Sequence, residues 1–149
     1  MQAAPLLVLH CGEALLLASV ERLLESHAPG VQADRLSLPG GCWWVAEAAG
    51  LTEGRVKRAL LRGRMPVREA VEALLDGGNV REVMLVAHEG CAWYRRSAPG
   101  ASAGDLVKQQ GRDMLRARAE IERWAPRGTA VGGWMLVAAE GEAGMRKLF

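Results

Sequence analysis

The chain has 149 residues with a formal net charge of +2, 50% of them hydrophobic and 24% charged, and it contains three cysteines. That length suits one domain, residues 1–149, with a sizeable core, and the proportions exclude a disordered or fibrous chain. So small a charge gives no reason to expect nucleic acid as a partner, and no apolar run approaches the roughly 18 residues that span a bilayer, so no membrane association is expected. The N-terminus lacks the basic start of a secretory signal, which makes the cytoplasm the expected compartment. Thiols stay reduced there, and three cysteines cannot all pair within one chain, so they point to metal binding or thiol reactivity and not to a disulfide framework.

Taken in chain order, Pro5-Leu6-Leu7-Val8-Leu9-His10 is an apolar run of the kind a strand covered on both faces requires, and it ends at Cys11-Gly12-Glu13. Leu15, Leu16, Val20, Leu23 and Leu24 then recur at helical spacing until Ala28-Pro29-Gly30. Val31 to Leu38 alternates as an exposed edge strand would. Leu38-Pro39-Gly40-Gly41-Cys42 reads as a loop whose adjacent glycines permit a close backbone approach or positive φ, with Trp43-Trp44-Val45 returning bulk behind it.

Residues 51–64 read as a short basic helix opened by Thr52, with Arg55, Lys57, Arg58, Arg62 and Arg64 interleaved with Val56, Leu60 and Leu61. A solvated helix face explains it better than a phosphate site, because no glycine-rich phosphate loop accompanies it. Pro66 starts a helix with Val67, Ala70, Val71, Leu74 and Leu75 on one face, closed by Asp76-Gly77-Gly78-Asn79. Val83-Met84-Leu85-Val86-Ala87 is the most strongly apolar strand and runs straight into His88-x-x-Cys91.

Ser102 with Asp105 forms a capping box that opens a long helix, whose stripe of Val107, Gln110, Met114, Ala117, Ile121 and Trp124 ends at Pro126 and Gly128. Val131 to Ala139 is a fourth strand, and the glycines after it predict a turn into a last, antiparallel strand from Met145 to Phe149. Alternating strands and helices with short connections give an α/β fold with a mostly parallel sheet flanked by helices.

Two strand ends thus carry three soft donors. Ligands of open parallel sheets bind outside the carboxyl ends of the strands, so Cys11, His88 and Cys91 converge if their strands are neighbours. Thiolates and imidazole at this spacing suit zinc. The same residues also read as small buried cysteines beside a hydrogen-bonded core histidine. Alternation along a strand should aim His10 away from Cys11, which keeps it out of a ligand set. Cys42, carried on the Gly-Gly loop, is a candidate fourth donor, although packing beside Trp43 accounts for it better. Trp93 and Tyr94 follow a candidate donor directly and suit either a pocket wall or packing.

In their order along the chain, Cys11-x-Glu13, Pro39-Gly40-Gly41, His88-x-x-Cys91 and Gly132-Gly133-Trp134 resemble the β-class carbonic anhydrases and their bacterial relatives. The resemblance implies zinc held by Cys11, His88 and Cys91. It also implies a sheet of order 2-1-3-4 with an antiparallel edge strand, a homodimer or larger homo-oligomer, and carbon dioxide or bicarbonate as the small-molecule substrate. The chain departs from the family's Cys-x-Asp-x-Arg motif, since Glu13 stands where that family has its aspartate and Leu15 where it has the arginine. Ala92 replaces a glycine, Ser37-Leu38 replaces an arginine-asparagine pair, and most of the arm that wraps a partner subunit is expected to be missing.

The arginine draws the family's aspartate off the metal, and Leu15 cannot do this for Glu13. Glu13 is therefore the expected fourth ligand, and its catalytic role is placed in question. Two function classes follow: a zinc-binding relative in which carbon dioxide hydration is weak or absent, and a working zinc lyase or hydrolase acting on carbon dioxide or a related small electrophile.

Overall fold

The computed structural model describes residues 5–48, 67–77, 79–139 and 142–149. The basic segment 51–64 expected to form a helix lies outside the described residues. The elements are β1 (Leu6–Cys11), α1 (Ala14–His27), β2 (Ala33–Leu38), α2 (Trp43–Ala48), α3 (Val67–Gly77), β3 (Glu82–His88), α4 (Ala92–Ser97), α5 (Ala103–Trp124), β4 (Ala130–Ala139) and β5 (Glu142–Lys147). Two short helices, α2 and α4, arise where the sequence periodicity predicts none. The last strand sits a few residues earlier than its apolar pattern suggests.

The five strands lie in the order β2-β1-β3-β4-β5. All pairs are parallel except β4 with β5, so the observed sheet has the expected order. From β1 the chain crosses by α1 to β2 on one side, while β3 lies on β1's other side. The carboxyl ends of β1 and β3 therefore flank a switch point of the sheet, where a crevice forms.

Strand pleating sends alternate residues to opposite faces, and each face has its own core. On one face Leu7, Leu9, Val83, Leu85 and Met135 meet Val45 of α2, Val71 and Leu75 of α3, and Met114, Ala117 and Ile121 of α5. On the other, Leu6, Val8, Met84, Val86 and Trp134 meet Leu16, Val20, Leu23 and Leu24 of α1 and Tyr94 of α4. With helices on both faces, β1 is buried along its whole length, whereas β2, at the edge, is only partly covered. The predicted cap of α5 forms: the Ser102 hydroxyl accepts from the Asp105 amide at 3.1 Å and donates to its carboxylate at 2.6 Å.

Candidate metal centre

Register brings the donors together. β1 and β3 pair as far as His10 opposite Val86, so Cys11 and His88 end adjacent strands at the switch point. Gly90, at φ +71°, then turns the chain so that Cys91 opens α4 beside them. The Cys11 and Cys91 sulfurs are 3.8 Å apart although 80 residues separate them in the chain. Glu13 Oε1 lies 4.0 Å from Cys11 Sγ and 3.7 Å from His88 Nε2. One donor atom from each of Cys11, Glu13, His88 and Cys91 falls in a group within 4.8 Å of one another.

The loop after β2 shapes the floor. Gly41 adopts φ +54°, and a Cβ there would stand 3.1 Å from the Cys11 amide nitrogen; Gly40 adopts φ +76° and packs under the Trp93 indole. Only residues without side chains let this loop come so close, as the Gly-Gly pair predicts. The approach delivers a donor, since the Gly40 amide reaches Cys11 Sγ at 3.4 Å.

Three further sets of contacts position the candidate donors. His88 Nδ1 is 2.9 Å from the Glu89 carbonyl, which can only accept, so Nδ1 carries the proton and Nε2 presents its lone pair. Nε2 is buried yet has no hydrogen-bond partner among the described residues. Such an orphan costs free energy unless something else coordinates it. Glu13 is held by the Ala92 amide, which donates to Oε1 at 2.6 Å, while the side chain remains 32% exposed.

The third set comes from Gln110 on α5, which is 2% exposed. Its Nε2 donates to the His88 carbonyl at 3.0 Å and its Oε1 accepts from the His88 amide at 3.4 Å. The Glu89 amide donates to Leu136 of β4, so in this parallel register His88 turns its own peptide groups toward β1, just past the last β1 pair. The Gln110 amide there supplies the partner that a strand no longer provides. Sequence reading placed Gln110 in an apolar stripe and missed this role; the one amide among that stripe's buried positions is the signal that carried it.

Electrostatics favour a thiolate at the centre. The Cys91 thiol donating to Cys11, helped by His88 and the Gly40 amide, brings Cys11 down to about 3, while the same bond and burial push Cys91 up. One proton is thus shared between two sulfurs. Burial works against a charged His88, but the neighbouring Cys11 sulfur and the charges of Cys11 and Glu13 outweigh burial and raise its affinity for a proton.

Cys42 is placed elsewhere. It belongs to the core on the other face of the sheet, with Leu7, Leu9 and Val45, and burial pushes its thiol up to about 12. His10 is buried with Nδ1 against the Cys11 carbonyl at 2.8 Å and is not among the clustered donors. Tyr94 packs inward, its hydroxyl donating at 2.8 Å to the buried Asp113 of α5, and so ties α4 to the long helix. Trp93 does form a wall. With Cys11, Glu13, Pro39, Ala92 and Arg96 it lines a cleft of about 300 Å³ that opens on the cluster.

The donor set fits zinc. Tetrahedral coordination at the usual bond lengths separates two sulfurs by about 3.8 Å and two lighter donors by about 3.3 Å, so the observed spacings need only small adjustments. Two thiolates, a carboxylate and a neutral imidazole with a free Nε2 are the chemistry that zinc selects.

No protein-family model and no curated protein matches the chain. Solved structures do. A β-carbonic anhydrase of Trichomonas vaginalis superposes with a TM-score of 0.53 at 14% identity, over 97% of this chain and 82% of that one. The carbonic anhydrase of Streptococcus mutans gives 0.52 at 11%, over 99% and 83%. A β-carbonic anhydrase of Aspergillus fumigatus gives 0.51 at 14%, over 99% and 76%. At these identities the likeness is one of architecture: the chain has the β-carbonic anhydrase fold.

Proposed function

We propose that the chain binds one zinc ion through Cys11, His88 and Cys91 with Glu13 as the fourth ligand, and that carbon dioxide hydration by it is weak or absent. The observation that carries this reading is the buried His88 Nε2, without a hydrogen-bond partner among the described residues, beside two thiols and a carboxylate oxygen within 4.8 Å of one another. Zinc held there supplies Lewis acidity toward a small electrophile such as carbon dioxide. The protein's residues decide whether that acidity can be used. Glu13 is fixed toward the cluster by the Ala92 amide, and Leu15 offers no guanidinium to draw it away.

The second reading, a working zinc lyase or hydrolase on carbon dioxide or a related electrophile, is favoured by the cleft that opens on Cys11 and Glu13. Both readings include self-association as a homodimer or larger homo-oligomer, which sedimentation velocity tests.

Elemental analysis of protein prepared without a metal-binding tag should find close to one zinc per chain. Stopped-flow hydration should lie at least roughly 100-fold below an active β-carbonic anhydrase, about 2.7 kcal/mol in barrier. Glu13→Ala should keep the zinc and bind azide more tightly than wild type. Equal azide affinity in the two proteins, or hydration at a rate typical of β-carbonic anhydrases, would remove Glu13 from the ligand set and leave the enzyme reading in its place.

A further inference from the structure

Two buried polar side chains of α5 reach the segment that carries His88 and Cys91. Gln110 bonds the His88 peptide. Asp113, one turn further along and so on the same helix face, is 1% exposed and bonds Tyr94. The Tyr94 hydroxyl donates to Asp113 Oδ2 at 2.8 Å, the Gln109 side-chain amide donates to Oδ1 at 3.1 Å, and Arg116 comes within 3.9 Å of Oδ1. Tyr94 is itself buried and belongs to α4, the helix whose N-cap is Cys91.

Six residues are too few for α4 to hold its own place, so its tertiary contacts set it. The start of α4 in turn places two parts of the cluster: Cys91, whose sulfur is 3.8 Å from that of Cys11, and the Ala92 amide, which donates to Glu13 at 2.6 Å. Stability does not call for a polar link here. A phenylalanine ring would fill the same core position, and burying a hydroxyl and a carboxylate costs free energy that an apolar pair of similar shape avoids. What the polar pair adds is a bond of defined length and direction between α4 and α5.

We propose that Asp113, acting through the Tyr94 hydroxyl, is a positioning residue of the metal centre: α5 holds His88 by Gln110 and α4 by Asp113, and so sets Cys91 and the Ala92 amide against Cys11 and Glu13. The role rests on the zinc reading for what Cys91 and Glu13 bind, while the link itself rests on the hydrogen bonds. Two polar positions on one side of α5 thereby fix both donors of His88-x-x-Cys91 relative to each other, across a turn at Gly90 that does not fix them by itself.

The test measures zinc affinity by chelator competition, and Tm of the metal-free chain, for Tyr94→Phe, Asp113→Leu and the double variant. Each lacks the bond and should bind zinc roughly 10-fold more weakly, the double variant no more weakly than either single one, because all three lose the same link. Each single variant strands a buried polar group and should lower Tm. The double variant carries an apolar pair instead, and should regain most of the lost Tm without regaining zinc affinity. Asp113→Asn keeps an acceptor for the hydroxyl and should bind zinc nearly as wild type does. Wild-type affinity in Tyr94→Phe, recovery of affinity together with Tm in the double variant, or an equal loss in Asp113→Asn and Tyr94→Phe would each overturn the assignment. If Asp113→Leu does not fold, Tyr94→Phe against Asp113→Asn decides it. A wild-type chain that takes up no zinc overturns the metal reading alone, because phenylarsine oxide, which bridges two close thiols, then reports on the Cys11 and Cys91 pair in metal-free protein. Weaker capture by Tyr94→Phe than by wild type sustains the role of Asp113, and equal capture overturns it.

Discussion

Replacing Gln110 with Leu keeps most of the side-chain volume and removes both hydrogen bonds to the His88 peptide. Gln110 is 2% exposed, so water cannot readily take its place. The His88 amide and carbonyl are then left buried without partners, at about 1–3 kcal/mol each, and the buried leucine recovers part of that. A net loss of about 2–4 kcal/mol is expected, which for a chain of this size lowers Tm by roughly 5–15 °C. The larger interest lies in the metal. With its backbone released, His88 no longer presents Nε2 at a fixed place, and supporting contacts of this kind typically change metal affinity by about 10- to 100-fold.

Competition titration against a chromophoric chelator measures the affinity, and thermal unfolding of the metal-free chain measures the stability. Val107→Ala on the same helix is the control, because Val107 packs against the neighbouring core but makes no bond to His88. It should lower Tm modestly and leave zinc affinity alone. If Gln110→Leu binds zinc as wild type does and loses no more stability than Val107→Ala, the clamp does not position the ligand.

Cys91→Ser should lose most bound zinc and the stability that comes with it, since metal binding adds to folding free energy. Cys42→Ala, on the opposite face of the sheet, should retain full zinc content at a cost on the order of 1 kcal/mol; metal loss equal to that of Cys91→Ser would show that Cys42 is a ligand. Gly40→Ala meets both a left-handed backbone and the Trp93 ring, with Cγ 2.7 Å from the new Cβ, so a loss of at least about 2 kcal/mol and a shifted tryptophan emission are expected. Metal-free protein at pH 6 should show the ultraviolet absorbance of one thiolate, because the Cys91 thiol donating to Cys11 holds the Cys11 thiol well below the usual thiol range. That absorbance should vanish in Cys11→Ser, and its persistence there would place the charge on another sulfur.

The strands were legible because a strand buried on both faces must be apolar along its length, and Leu6 to Leu9 and Val83 to Ala87 satisfy that locally. The cap at Ser102 and the start of α5 were legible for the same reason, since both halves of the motif lie within one turn. His88-x-x-Cys91 announced two donors on one loop, and the Gly-Gly pair announced a close approach. The six-residue helices α2 and α4 were not legible, because helices so short take their stability from tertiary packing and leave little periodic trace.

What the sequence determined by itself was the strands, the longer helices α1, α3 and α5, and three of the candidate donors; strand order came from the likeness of its motifs to a known family. Only the tertiary structure decided which donors meet. Cys11 and Cys91 are neighbours because β1 lies beside β3, a pairing that no local pattern encodes. Cys42 is excluded because the chain returns on the other face of the sheet, and Glu13 is included because an amide 79 residues away fixes it. The supporting contacts from Gln110 likewise depend on how α5 packs against the carboxyl ends of the sheet, since hydrogen bonds act through space and not along the chain.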